Sequence, residues 1–184
     1  ADIPIFHTNK LYQFNGGIRA KVGKNSFLHA GFSMGGYKEY QYVINDVTDA
    51  SKFNLLYDPE TSTVANLFGE WGLTKTQQFQ LSLRGDYYGY NMGSQPEAWH
   101  QPQFKIATLA NYNLFDKIII EADVHFLGGL KAIDLNTNTS VDLDAVIDFG
   151  IFMKLNNILS QENQLLYNYP VRGFQLMGGM SYTF

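Results

Sequence analysis

The stretch "QFQLSLRGDYYGY", Gln78 to Tyr90, decides the fold. In an extended chain Phe79, Leu81, Leu83, Gly85 and Tyr87 fall on one side, and Gln80, Ser82, Arg84, Asp86 and Tyr88 on the other. A helix would scatter these residues around its axis, whereas the period of two of a β-strand separates them. The pattern recurs in "KIIIEADVHFLGGL", where Ile118, Ile120, Ala122, Val124, Phe126 and Leu130 oppose Ile119, Glu121, Asp123 and His125. "LYQFNGGIRAKV" sets Tyr12, Phe14, Ile18 and Ala20 against Gln13, Asn15, Arg19 and Lys21. "SVDLDAVIDFGIFMKL" reads as one further strand, with Val141, Leu143, Ala145, Ile147 and Phe149 opposite Asp142, Asp144, Val146 and Asp148. "FLHAGFSMG", "TVANLFGEWGLT" and "PQFKIATLANYNLF" repeat the alternation, and "FQLMGGMSYTF" carries it to the last residue. Spans of about 10–15 residues are long for a globular strand and suit a tilted strand that crosses a bilayer.

Composition narrows the class. The 184 residues fit a single unit, 1–184, and only 16% are charged, against about a quarter in ordinary soluble domains. Aromatics reach 15%, with 12 Tyr and 14 Phe. A net charge of −4 gives nucleic acid nothing to bind, since its partners carry a basic stripe. Without cysteine there is neither a disulfide nor a thiolate metal site. No apolar run approaches the roughly 18 residues of a membrane-spanning helix. Residues 1–9, "ADIPIFHTN", have neither the basic nor the apolar region of a signal peptide, so the expectation is a mature sequence or one that starts partway through a longer chain.

Alternation of this kind builds either a soluble barrel or sandwich with its apolar face inward, or a membrane barrel with that face toward lipid. Three features favour the membrane. The polar positions are poor in Lys and Glu and rich in Asn, Gln, Ser, Gly and Tyr. Aromatics gather near strand ends (Tyr87, Tyr88, Tyr90; Tyr112, Phe115; Tyr182, Phe184), where interfacial girdles belong. Tight connections ("GKNS", "TKTQ", "FDK") alternate with long ones, roughly Asn45 to Ser62, Asn91 to Gln101 and Lys131 to Thr139, as periplasmic turns alternate with extracellular loops. The expected fold is therefore all-β, with eight or nine antiparallel transmembrane β-barrel strands in this chain.

The segment "LNNILSQENQLLYNYPVRGFQLMGGMSYTF" resembles the C-terminal end of a TonB-dependent outer-membrane receptor of the Bacteroidetes type. The similarity lies in Asn156 to Leu159, in Tyr169, Pro170, Val171, Gly173 and Phe174, and in the final aromatic strand. "FNLLYD", "LRGDYYGYNM", "EAWHQPQF" and "YNLFDKIIIEADVHFLGG" also look like relatives of that region. The resemblance implies part of a larger outer-membrane barrel and energy-coupled uptake of a scarce nutrient such as a metal chelate or glycan. It makes Phe184 and Tyr182 the signal read by the barrel-assembly machinery. The partners it implies are outer-membrane lipid, TonB through an N-terminal region absent here, and a surface lipoprotein. Nothing in the chain resembles the plug domain or energy-coupling box, and receptors with a plug have about 22 strands. The rival readings are a self-contained eight-stranded barrel with a structural or adhesion role and a soluble ligand-binding barrel.

Strand direction adds an expectation. A periplasmic C-terminus, counted back through eight strands, puts tight "FDK" outside and the long Asn91 to Gln101 loop in the periplasm. One further strand boundary within "DFGIFMKL", with residues missing between Gly150 and Ile151, restores the usual assignment. A ninth strand is expected there on this ground.

Candidate chemistry is sparse. Asp142, Asp144 and Asp148, with Glu121 and Asp123, have the carboxylates a hard cation wants but no calcium-loop spacing, so they read as a lumenal polar network with Arg84, Asp86, Lys105 and Lys154. His7, His29, His100 and His125 show no paired-ligand spacing, which leaves no metal or cofactor expected. Ser33 or Ser82 with His29 or His125 lacks any nucleophile motif. Trp99 and His100 in "SQPEAWHQPQF", and Tyr169 and Arg172 in the last loop, are the ligand-facing candidates, although a loop packed on its neighbours is the commoner use of such residues. "LNNILSQENQLL" has some helical spacing, and "GKNS" reads as a turn rather than a phosphate loop.

Overall fold

A computed structural model describes residues 8–46, 48–49, 52–75, 78–114, 118–135, 137–156, 163–166, 169–171 and 175–183. The fold is all-β and antiparallel, and no helix occurs among these residues. Six long strands follow one another as a meander: β1 (Asn9–Val22), β2 (Ser26–Asn45), β3 (Phe53–Lys75), β4 (Phe79–Asn91), β5 (Phe104–Leu114) and β6 (Ile118–Gly128). A small hairpin, β7 (Lys131–Asp134) and β8 (Thr139–Asp142), precedes β9 (Val146–Asn156), which pairs with β6. A second hairpin joins β10 (Asn163–Leu166) to β11 (Tyr169–Val171). The sheet ends on β12 (Gln175–Met177) and β13 (Met180–Thr183), which pair with β9 in one register on either side of Gly178 and Gly179.

Register sorts the side chains. Strand pairs match His29 with Glu70, Glu70 with Arg84, Arg84 with Ala107, Ala107 with His125 and His125 with Asp148. The neighbouring row matches Leu28 with Trp71, Trp71 with Leu83, Leu83 with Thr108, Thr108 with Val124 and Val124 with Phe149. One face of the sheet is thus polar and the other apolar across every strand. A slip of one residue in any pair would mix them. The register shifts of β1–β2 and β2–β3 fall near the ends distant from the tight turns, at Lys10/Tyr12 and Lys38/Tyr40.

Exposure is inverted relative to a water-soluble sheet. Ile18 is 72% exposed, Leu67 61% and Leu83 46%. The carboxylates on the polar face of β3 and β4 are more sheltered, with Asp86 at 9% and Glu70 at 24%, whereas His125 of β6 and the polar residues of β1 stand exposed. The buried apolar cluster of Tyr42, Met92, Ala98 and Trp99 lies outside the sheet body, among the loops at one end.

Several local expectations are corrected. β9 runs unbroken through Gly150 and Ile151, each paired with β6 (Asp123, Ala122), so there is no strand boundary there. The long path has eight strands, with β13 extending the last. "SVDLDAVIDFGIFMKL" divides between β8 and β9, because residues 139–142 find their hydrogen-bond partners in β7 rather than β6. Leu130 lies beyond β6, past Gly129 with its positive φ. Most of Asn45 to Ser62 is the projecting β2–β3 hairpin, since residues 53–61 pair with residues 38–45. Likewise Lys131 to Thr139 is largely hairpin. In "LNNILSQENQLL" residues 163–166 form β10, not a helix. With β9 continuous, the β1–β2 turn, the facing ends of β3 and β4 and of β5 and β6, and the end of β9 share one end of the sheet, and β13 runs toward the opposite, long-loop end.

Pro59 fits inside β3 because the ladder shifts there, Lys38 facing Thr61 but Tyr40 facing Asp58, and a bulge spares the missing N–H. Across from it Glu39 adopts φ +57°, a left-handed conformation that disfavours a Cβ. Glu39→Gly should therefore stabilise the hairpin by about 0.5–1 kcal/mol, the relief of strain exceeding the extra chain entropy of glycine. Chemical denaturation of the two proteins side by side checks this, and an unchanged or lower midpoint would contradict it.

Candidate functional site

Two sets of polar residues are built by this topology. The first lies on the polar face of β2, β3 and β4. Arg84 donates to Asp86 through Nε at 2.8 Å and through a terminal nitrogen at 3.0 Å. The same guanidinium reaches Glu70 at 3.9 Å and covers the Phe68 ring at 4.7 Å. Glu70 also faces His29 Nδ1 at 3.6 Å, and Asn66 donates to Asp86 at 3.2 Å. Lys105 stands over the Tyr88 ring at 5.0 Å. Farther along the sheet Asn111 donates to Glu121 at 2.9 Å, and His125 lies 3.6 Å from Asp123. Arg84 compensates Asp86, two residues along the same strand, and Glu70 on the neighbouring strand, and a charge left unpaired on this sheltered face would be costly.

Of the expected network, Arg84, Asp86, Glu121, Asp123 and Asp148 occupy this face. Asp148 stands opposite His125 in the register, with its Oδ1 buried and without a hydrogen-bond partner. Asp142 and Asp144 do not belong to the network. Asp142 ends β8 opposite Lys131, and Asp144 lies in the segment between β8 and β9, at the long-loop end. No group of three His, Asp or Glu able to hold a metal occurs among the described residues.

The second set caps the long-loop end. Asp58, fully buried, accepts hydrogen bonds from Ser62 Oγ at 2.8 Å, Gly93 N at 2.9 Å, Ser94 Oγ at 2.7 Å and Glu60 N at 3.0 Å. Burial opposes its ionisation, but these donors outweigh burial and hold the carboxyl below its usual range. Asp58 thereby ties the loop of residues 92–103 to the β2–β3 hairpin. Trp99, 2% exposed, fills the space between them beside Tyr42, and its Nε1 donates to Gln95 at 3.2 Å. His100 N donates to Lys131 O at 2.8 Å, and Lys131 pairs with Glu97, so the β7–β8 hairpin joins the same cap. Burial pushes the His100 imidazole down, toward the neutral form, and the ring meets Phe53 edge-on at 5.6 Å.

Trp99 is therefore a packing residue of the cap rather than a ligand-facing one, and His100 is half-buried behind it. Tyr169 lies in β11, with its side chain outside the described residues, as are Arg172 and Phe184. Tyr182 pairs with Phe149 on the apolar face and is 56% exposed. Ser33 and Ser82 line the polar face without a histidine in hydrogen-bond contact. Asp58 was not singled out from the sequence. "YDPE" carries a signal for it, since an Asp before Pro commonly folds back on the next free backbone N–H. A scan against protein-family models and a search of curated proteins give no match.

Removing the carboxylate tests the cap. Asp58→Ala removes the acceptor of three loop donors, Gly93 N, Ser94 N and Ser94 Oγ, and should destabilise the docked loop by about 2–3 kcal/mol. Amide exchange at Gly93 and Ser94 should rise by tens of times, and unchanged protection would contradict this role. The pH dependence follows from the sign. A carboxyl depressed in the folded state contributes stability above its unfolded value of about 4 and loses it as pH falls through the folded value. Loop protection in the native protein should thus fade in acid below about pH 4, and Asp58→Asn should remove that transition.

Proposed function

We propose that this chain forms part of the wall of an outer-membrane β-barrel, as C-terminal strands of a TonB-dependent receptor-like protein of the Bacteroidetes type engaged in energy-coupled nutrient uptake. The observation that carries this reading is the inverted sheet, whose apolar face is the more exposed one on β2 to β6 and β9, while β1 at the sheet edge is exposed on both faces. In water such a face is far larger than the few hundred Å² a soluble monomer tolerates. Against lipid it is the expected surface.

Aromatic pairs bracket that face. Phe79 and Tyr112 are register partners with ring centroids 6.4 Å apart, and Tyr87 and Phe104, also partners, are 5.2 Å apart. Between them stand Leu81, Leu83, Gly85, Ile106, Thr108 and Ala110. Each strand climbs eight residues from one pair to the other, about 27 Å along the chain. At a tilt of about 40° that is ~20 Å of height, which with the rings themselves approximates the ~25 Å apolar band of outer-membrane barrels. β3, at 23 residues or about 75 Å, greatly exceeds a bilayer core of about 30 Å. The surplus is the β2–β3 hairpin that carries the cap into water.

Backbone groups at a sheet edge have no partner in lipid, so an open edge needs a further strand. β1 pairs only with β2 among the described residues. Direct closure onto the antiparallel β13 would bury the polar side chains of β1 inside a narrow, filled eight-stranded barrel. Gln13, Asn15 and Arg19 are instead exposed, which favours additional strands and a larger barrel. Ligand capture would then fall to the capped loops, and the sheltered charges of the polar face would line the interior. In this reading the short turns are periplasmic and the cap external. The last strand then runs outward, opposite to what the resemblance implies for a strand ending in an assembly signal.

Two measurements bear on this. Leu83→Arg, at the middle of the belt, should destabilise the protein in phospholipid vesicles by about 2–4 kcal/mol. Leu109→Arg, on the polar face, should cost under about 0.5 kcal/mol. Equal and small effects would exclude a lipid-facing belt. In intact cells an impermeant maleimide should label Glu60→Cys and spare Lys24→Cys, and the reverse pattern would place the cap in the periplasm.

A further inference from the structure

The tight turn between β1 and β2 carries a cluster of positive charge that nothing in the proposed function uses. Arg19 and Lys21 project from the polar face of β1, and Lys24 follows in the turn. They surround a cleft of about 600 Å³ whose lining includes Asn25, Phe27 and Thr74. Among the described residues no carboxylate pairs with any of these three cations. The carboxylate nearest in the register is Glu70, already engaged by His29 and Arg84. This local surplus occurs in a chain whose net charge is −4.

The cluster is also oriented. The Arg19 guanidinium stacks over the Phe27 ring at 4.4 Å from its centroid. The ring itself lies across Gly72, where any Cβ would overlap it. Glycine at 72 therefore seats Phe27, and Phe27 holds the arginine plane in place while leaving its N–H edge free to donate. Thr74 N donates to Asn25 O at 2.7 Å, which fixes the turn against β3 and places a hydroxyl and an amide at the rim. A planar guanidinium, two ammonium groups and neutral donors converging on one open cleft suit a tetrahedral oxyanion.

We infer that the β1–β2 turn is a binding site for a phosphate group, held by Arg19, Lys21 and Lys24 with Asn25 and Thr74 at its rim. Arg19 and Lys21 stand on the face turned away from the apolar belt, so the phosphate belongs to a soluble phosphorylated compound rather than to a lipid headgroup at the edge of that belt.

The test uses the full chain folded in a zwitterionic detergent, titrated calorimetrically with inorganic pyrophosphate and, separately, with short-chain phosphatidic acid. Saturable binding of pyrophosphate that weakens with salt supports the site, and binding of the lipid alone would overturn its assignment to a soluble phosphate. The R19A/K21A/K24A variant should lose at least about tenfold in affinity, because charge-assisted contacts dominate. Phe27→Leu, which keeps every charge but removes the stack, should lose severalfold. Lys52→Ala, a cation at the far end paired with Asp49, should bind as the native protein does. Retained strand circular dichroism shows that the variants remain folded. No binding of pyrophosphate, or equal binding by the triple variant, would overturn the site.

Discussion

Everything in this structure depends on register. The period of two separates polar from apolar residues within a strand, but only the pairing of neighbours in a constant register carries the separation across the whole sheet. Pairing is unbroken from Lys75/Phe79 to Thr63/Asn91 and from Ile118/Leu155 to Leu127/Val146. Short turns enforce it, since a connection such as 23–25, with Gly23 at φ +72°, leaves no slack for a slip. The irregularities are displaced to the other end, where β1 and the β2–β3 hairpin leave the sheet body.

A sheet with two such unlike faces has to satisfy them in different surroundings. The polar face does so internally, by matching Arg84 with Asp86 and Glu70, and Asn111 with Glu121. Among the described residues none covers the apolar face, where Ile18, Leu67 and Leu83 stand exposed. The residues that do form a packed cluster, Trp99, Tyr42, Met92 and Ala98, lie in the cap instead. That cap is tied by a buried carboxylate, Asp58, whose hydrogen bonds are firmer than neutral ones because the acceptor is ionised.

Much of the sheet was legible in the sequence, because alternation over about ten residues has no other good explanation. Parity alone puts Arg84 with Asp86 and Glu121 with Asp123, and the register through β5 joins the two pairs on one face. The failures came where long-range pairing decided the outcome. Asp142 and Asp144 share the parity of Asp148, yet β8 pairs with β7 and takes Asp142 out of the sheet. The expected boundary at Gly150 came from a rule about turns and loops, whereas the hydrogen bonds of β9 continue without regard to it. Trp99 invited a ligand-facing role by its place in a long loop, but its size makes it the natural filler of the cap. Asp58 escaped notice because its partners, Gly93 and Ser94, are distant in sequence and no local pattern links them.

The most direct measurement is nitroxide scanning of residues 80–87 in lipid vesicles, which the absence of native cysteine makes clean. One label at a time would be read for collision with oxygen, which concentrates in lipid, and with a water-soluble nickel chelate. A lipid-facing apolar surface predicts high oxygen and low nickel accessibility at 81, 83, 85 and 87, alternating with the reverse at 80, 82, 84 and 86. Nickel accessibility at the odd positions equal to that at the even ones would mean that water, not lipid, covers the apolar face.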